Sequence, residues 1–192
     1  MVDMQAKPFN LTGKLLISAP AMRDPRFAHS VIYLCTHSYD GAFGFVLNAH
    51  IPGLSLRSVL EQLAIPAADA LPENPVRAGG PVETERGFVL YRGANAAPDS
   101  EQLDDGLFLT CSPAILAQIG RGEAPEAWFL ALGYAGWGPG QLEAEIRQNG
   151  WLTCEADPAL LFGRTQGLRT WNSALRSMGI DPGSLSSAAG RA

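Results

Sequence analysis

Apolar and polar positions alternate along this chain in short blocks whose period changes repeatedly. Lys14-Leu15-Leu16-Ile17-Ser18 is an apolar run closed by Ala19-Pro20. Proline cannot donate to a ladder, so the run predicts a strand that stops there. Arg23-Asp24-Pro25-Arg26 reads as a loop. Ser30 to His37 is β-branched and aromatic, with Val31, Tyr33, Cys35 and His37 on one face and Ile32, Leu34 and Thr36 on the other. Both faces are largely apolar, which predicts a central strand. Tyr39-Asp40-Gly41 is a turn signal, and Phe43 to Asn48 forms the second arm of a hairpin.

The period then becomes helical. Ser55 can cap a helix in which Leu56, Val59, Leu60 and Leu63 recur at i, i+3, i+4 and i+7, and Pro66 ends it. Residues 67–75 read as a connection. Val76 to Ala78 and Phe88 to Tyr91 predict strands flanking a Gly79-Gly80-Pro81 turn, Ala94 to Ser100 a surface loop, and Leu107 to Thr110 another strand. Ser112-Pro113 is an N-cap and N1 pair opening a helix that stops at Gly120. Ala127 to Ala135 is the most apolar strand. From it, Gly136-Trp137-Gly138-Pro139-Gly140 leads into a helix carrying Leu142, Ile146 and a Glu143/Arg147 pair, terminated by Asn149-Gly150. Trp151 to Glu155 predicts a strand, Asp157-Pro158 a short helical turn, and Gly167 to Met178 a final helix stopped by Gly179. About seven strands and about four helices in irregular alternation predict one domain of the α/β (α+β) class. Several connections are too short for parallel crossovers, so the sheet should be mixed. The domain is expected over residues 11–192, behind a flexible N-terminal tail over 1–10.

Composition narrows the function classes. With 46% of its 192 residues hydrophobic and 17% charged, the chain can bury a core, which excludes wholesale disorder and coiled coil. Fourteen Lys and Arg against nineteen Asp and Glu leave a net charge of −5, the wrong sign for a surface that neutralises many phosphates. Direct nucleic-acid binding is therefore not expected. The final helix carries Arg169 and Arg176 on roughly one face and little else that is basic. The N-terminus lacks the basic start and apolar stretch of a secretory signal. The longest apolar stretch, Trp128 to Trp137, is broken by Gly133 and Gly136 and falls short of the ~20 residues of a membrane helix. Cys35, Cys111 and Cys154 are odd in number and lack CxxC spacing, so neither a disulfide framework nor a four-cysteine zinc site is expected. Those features predict a cytoplasmic protein with no membrane partner.

Several segments together carry a family resemblance. They are Gly13-Lys14-Leu15-Leu16-Ile17, Ser30-Val31-Ile32-Tyr33, Val46-Leu47-Asn48, Gly79-Gly80-Pro81-Val82, Gly87-Phe88-Val89-Leu90, Leu132-Gly133-Tyr134-Ala135-Gly136-Trp137-Gly138 and Gln141-Leu142-Glu143. In this order the chain resembles the AlgH/YqgE family of bacterial proteins, over about residues 11–192. The resemblance implies a cytosolic protein with a strongly curled sheet flanked by helices. It also implies membership of a group often labelled transcriptional regulators, without an established biochemical activity. This chain departs from the family pattern at four positions. Thr36 stands where an acidic residue is usual, Tyr91 and Arg191 where histidine is usual, and Cys111 where threonine is common. These departures argue against a shared acid-base mechanism at the first three and against Cys111 as a family nucleophile.

Two constellations remain as candidate chemistry. Cys35 and His37, two apart on one strand, would share a face roughly 6.6 Å apart along the strand axis. A thiolate beside an imidazole is the arrangement of a reactive or redox-sensing cysteine. On a central strand, however, cysteine is more often a small buried hydrophobe. Gly136-Trp137-Gly138-Pro139-Gly140 joins a strand to a helix, where backbone amides can hold an anion, yet it contains no Lys or Arg and matches no phosphate-loop pattern. Trp137 there could cover a cleft or pack on Trp151. Gly79 and Gly80 permit close backbone approach, and Asn48 could hydrogen-bond into the same cleft. The acidic pairs Asp104-Asp105 with Glu101, and Glu83 with Glu85, read as solvated surface, so no metal is expected. No HExxH, GxSxG or kinase motif occurs, and no cofactor is implied. The leading expectation is a regulatory or binding protein. It would hold a small molecule or partner segment in a cleft built by Asn48, Gly79, Gly80, Gly136, Trp137, Gly138 and Gly140. The alternatives are a thiol-dependent enzyme or redox sensor at Cys35 and, disfavoured, a direct DNA-binding regulator.

Overall fold

A computed structural model describes residues 10–164 and 166–183. The expected N-terminal tail, apart from Asn10, and the departure at Arg191 lie outside these residues. Ten strands are described: β1 Lys14–Ser18, β2 Val31–Ser38, β3 Gly41–Val46, β4 His50–Ser55, β5 Pro75–Ala78, β6 Val82–Arg92, β7 Ser100–Asp104, β8 Leu107–Thr110, β9 Ala127–Trp137 and β10 Trp151–Glu155. Five helices accompany them: α1 Leu56–Gln62, α2 Pro113–Gly120, α3 Gln141–Arg147, α4 Pro158–Leu161 and α5 Leu168–Ser177. Helix starts follow local chemistry. Ser55 and Ser58 form a reciprocal capping box on α1, Ser112 precedes Pro113 at the start of α2, and Asp157 accepts from the Ala159 amide to open α4.

The strands form one curled sheet in the order β10-β1-β2-β3-β9-β6-β8-β7. It is mixed, as expected. All pairings are antiparallel except β5 with β9, where Arg77 pairs with Ala131 and Ala78 with Leu132. β9 is the hub. β6 covers one of its edges, while β5 and then β3 share the other. Gly79 closes the seam between those two neighbours, donating to Leu132 O at 2.9 Å and accepting from the Val46 amide at 2.8 Å.

Helices cover both faces of the sheet. On one face, α4 and α5 supply Leu161, Trp171, Ala174 and Leu175 to a core with Leu15, Ile17, Tyr33, Phe45, Leu90 and Phe129. On the other, α1 and α2 pack over Val76, Val89, Tyr91, Trp128 and Leu130, and α3 sets Leu142 against Leu16, Leu34, Ala135 and Trp137. Two interruptions of strict alternation make this possible. β2 takes an extra residue between Leu34 and Thr36, and β9 carries Gly133 at φ 69° where its register with β6 shifts. Beyond each interruption, the residues that would have pointed to one face point to the other.

The elements depart from expectation in two respects. β4 is hidden in the sequence by Pro52 and Gly53, and β7 by its polar residues at the sheet edge, so neither was predicted as a strand. Leu63 is not part of the buried stripe of α1; it sits at the C-cap and is 48% exposed. The strands expected on either side of Gly79-Gly80-Pro81 are present as β5 and β6, and each pairs with β9.

Candidate functional site

The residues expected to line one glycine-rich cleft are distributed among three structural tasks. Asn48, buried just after β3, accepts from the Val31 amide at 2.9 Å through Oδ1. Its Nδ2 donates to His29 O at 2.8 Å and Gly167 O at 2.9 Å. It ties the start of β2 and the start of α5 to the end of β3, and its amide is spent within the chain. Gly79 and Gly80 lie against the backbone of β9. A Cβ would come within 2.3 Å of Gly133 O at the first and 2.1 Å of the Tyr134 carbonyl carbon at the second. Their close approach is to the protein itself.

Gly136 and Trp137 belong to β9 rather than to the loop that follows it. Trp137 is buried, with its ring 6.3 Å from Phe27 and 6.0 Å from Trp151, centroid to centroid. Both indoles donate to Glu145 Oε2, at 2.9 Å from Trp137 and 2.7 Å from Trp151. Of the two uses expected for Trp137, packing on Trp151 is the one seen. Gly138 donates its amide to Gln141 Oε1, and Gly140 takes φ 71° as the residue before α3. None of the seven residues lines either of the two cavities described below.

The expected Cys35–His37 pairing is undone by the irregularity in β2. Leu34 pairs with Gly44 but Thr36 with Phe43, so Cys35 is the extra residue and His37 turns to the opposite face. Cys35 is 1% exposed among Tyr33, Phe45 and Leu90; burial first, and then the charge of Glu101, push its thiol well above the ordinary range. A buried neutral thiol is not a nucleophile at neutral pH. His37 packs instead under α3. Its Nδ1 accepts from the Leu11 amide at 3.1 Å, which leaves Nε2–H to donate to Glu143 Oε1 at 3.1 Å.

A groove of about 680 Å³ opens elsewhere, where β6, β8 and β9 meet the start of α2. Its floor is aromatic. Phe43, Phe88 and Tyr134 sit with ring centroids 4.8 to 6.0 Å apart. Its rim is polar, carrying Arg86, Asp99, Glu101, Thr110, Cys111 and Ser112. The Arg86 guanidinium lies 5.2 Å over the Phe88 ring and donates to Glu83 Oε2 at 2.9 Å; that bond, and then the neighbouring Cys111, raise its pKa. The Cys111 thiol is exposed beside it. The described lining contains no histidine, so Cys111 has no imidazole base there.

The sequence reading did not find this groove. Its floor draws on β3, β6 and β9, and the flip at Gly133 is what turns Tyr134 toward Phe43. The visible signal was the polar run Glu83 to Arg86 preceding the apolar run from Gly87. A second groove, about 600 Å³, runs between α1 and residues 69–75 and is lined by Leu56, Arg57, Asp69, Leu71 and Pro72 among others. Among the described residues, no three His, Cys, Asp or Glu side chains converge as metal ligands. No described helix is long and apolar enough to cross a membrane.

Comparison with known proteins places these features in a family. A family model described as AlgH-like matches residues 15–183. A UPF0301 protein of Paracoccus denitrificans is 49% identical over 190 residues, covering 95% of this chain and 97% of that protein. Another, from Ruegeria pomeroyi, is 50% identical over 186 residues, covering 95% of this chain and all of its own length. The solution structure of AlgH from Pseudomonas aeruginosa superposes with a TM-score of 0.75 at 41% identity, over 98% of this chain and 99% of that one. A crystal structure of protein DIP2367 from Corynebacterium diphtheriae shares the fold with a TM-score of 0.67 at 24% identity, over 87% of this chain and 86% of that one. With a matching family model, near full-length relatives and a common fold, the chain belongs to the AlgH-like family of UPF0301 proteins.

Proposed function

We propose that this protein is a cytoplasmic regulatory or binding protein whose ligand is a small amphipathic organic molecule, held in the groove between β6, β8, β9 and α2. The observation that carries this reading is the three-ring floor of Phe43, Phe88 and Tyr134 beneath a polar rim, in a volume of about 680 Å³. Small-molecule sites combine a concave apolar surface of roughly 300–1,000 Å³ with a few polar groups that orient the ligand. Here the apolar body of the ligand lies on the rings, and its polar end meets Arg86 and Ser112. The glycine-rich segments support the site from behind by letting β5 and β9 pack closely. A thiol mechanism at Cys35 is not supported by a side chain so fully enclosed. Duplex binding draws no support from a net charge of −5.

The test is a thermal-unfolding screen of the purified protein against aromatic and aliphatic metabolites. A ligand selective for the folded state raises stability by RT ln(1 + [L]/Kd). Cys111→Trp fills the groove from its exposed rim, and it should abolish the shift while leaving the unliganded Tm nearly unchanged. Trp137→Ala is unsuitable as a probe, because it breaks the packing around Glu145. A ligand-induced shift that survives both Cys111→Trp and Tyr134→Ala, or a screen without any shift, rejects the groove as the binding site.

A further inference from the structure

β4 and β5 set His50 directly opposite Arg77. Arg77 is 4% exposed, and its guanidinium lies 4.0 Å over the Phe129 ring. It donates to Leu161 O at 2.9 Å and Gly163 O at 3.1 Å. Among the described residues, no carboxylate lies within salt-bridge distance of it. Burial lowers its pKa to about 10, so the charge persists at neutral pH. A buried cation is normally paired, because carbonyl dipoles and an aromatic face offset only part of its lost hydration.

Next to it, the Nδ1 atom of His50 is buried without a hydrogen-bond partner, the one such side-chain atom among the described residues. Burial, and then the charge of Arg77, lower the His50 pKa. The ring is therefore neutral at pH 7; it also hydrogen-bonds the Gln166 side chain, and when that amide is the donor the single N–H of the ring is left on the unpartnered Nδ1. His50 and Arg77 line a small cavity of about 10 Å³ together with Trp128, Phe129 and the exposed Arg164, for which no ion pair is described. That volume suits one occupant near the size of a water molecule. Two arginines and an imidazole nitrogen without a partner, with no carboxylate among the lining residues, favour a negative occupant over a neutral one.

We propose that His50, Arg77 and Arg164 form a site for a small monovalent anion, chloride being the probe, which supplies the counter-charge that buried Arg77 lacks. This site is separate from the aromatic groove and does not depend on it.

The experiment compares thermal unfolding of the full chain in sodium chloride and in sodium gluconate at equal ionic strength, since gluconate is too large for the cavity. The 35Cl NMR linewidth is followed in parallel. The expected result is a higher Tm in chloride that saturates with concentration, and a chloride linewidth broadened by the protein. Arg164→Gln, on the exposed rim, should weaken the apparent chloride affinity roughly tenfold, the loss of one charge-assisted contact. Arg77→Met should abolish the chloride effect. If that variant does not fold, Arg164→Gln and the linewidth still decide the matter. Equal Tm values in the two salts with an unbroadened chloride signal mean that water fills the cavity, and the proposal is wrong. A chloride effect unchanged in Arg164→Gln assigns it to the general protein surface, which also overturns the proposal.

Discussion

At the scale of single residues, this protein uses polar side chains chiefly as joints. Asn48 makes three hydrogen bonds that connect two strands and a helix. Asn48→Ala should therefore cost about 2–4 kcal/mol, from orphaned backbone groups as much as from the lost bonds; chemical denaturation would measure it. Cys35 is the small buried hydrophobe expected of a cysteine on a central strand, whereas Cys111 is exposed. In the native protein, iodoacetamide should modify exposed Cys111 rapidly and leave Cys35 unmodified until the chain unfolds, as peptide mapping by mass spectrometry would show. His50 sets a pH dependence. Its folded pKa lies below the ordinary value of 6.5, so the unfolded chain binds the proton more tightly. The stability this neutral ring contributes is complete above about pH 6.5 and is lost as pH falls toward the folded pKa. Denaturation of wild type and His50→Gln across pH 5–8 should show a difference that shrinks toward the acid end.

At the scale of elements, most starts and stops are local events and were readable. Ser55, Ser112-Pro113, Asp157-Pro158 and Gly179 delimit helices where capping chemistry says they should. The errors fall where an element's identity depends on its neighbour. β7 is a strand because β8 offers it an edge, and β4 because β5 does. The extra residue at Cys35 exists because β3 runs one residue short of β2, which no inspection of β2 alone discloses. The glycines divide in the same way. Gly80→Ala drives a Cβ into the Tyr134 backbone at a position with φ 158°, and should cost about 3 kcal/mol or more. Gly138→Ala meets nothing nearer than Gln141 Oε1 at 3.9 Å and should change stability by less than about 1 kcal/mol. Paired denaturation curves separate glycines that pack from a glycine that merely turns.

At the scale of the whole molecule, β9 organises the fold. Among the described strands it alone meets three, and its interruption at Gly133 separates the cluster under α1 and α2, with Trp128 and Leu130, from that under α3, with Ala135 and Trp137. Hydrogen exchange should reflect this. The β9 amides are expected to exchange by global unfolding, and those of β7 and β10, at the two ends of the sheet order, by smaller local openings. Mass-spectrometric exchange kinetics on peptides from the three strands would rank them, and a β9 peptide as labile as one from β7 would contradict the hub role. The two candidate sites occupy different parts of this framework. The aromatic groove lies where β3, β6 and β9 present their rings together, and the His50–Arg77 cavity lies under the chain between α4 and α5.

What the sequence determined by itself is what short-range chemistry decides. Hydrophobic period, caps, turn residues and composition were enough for a single α/β domain with a mixed sheet and for most element positions, and the resemblance of several short segments pointed to the family. The tertiary structure decided which faces those elements present. An irregularity within a strand reverses the side-chain direction of everything beyond it: the extra residue in β2 parts Cys35 from His37, and Gly133 in β9 brings Tyr134 to Phe43 and Phe88. Gly79 and Gly80, which read as part of a ligand cleft, are explained by β9 lying against them. Arg77, unremarkable in the sequence, becomes a buried charge because Leu161 and Gly163, more than eighty positions away, close over it. Each of these outcomes depends on contacts between residues far apart in the chain, and alternation within one strand carries no information about them.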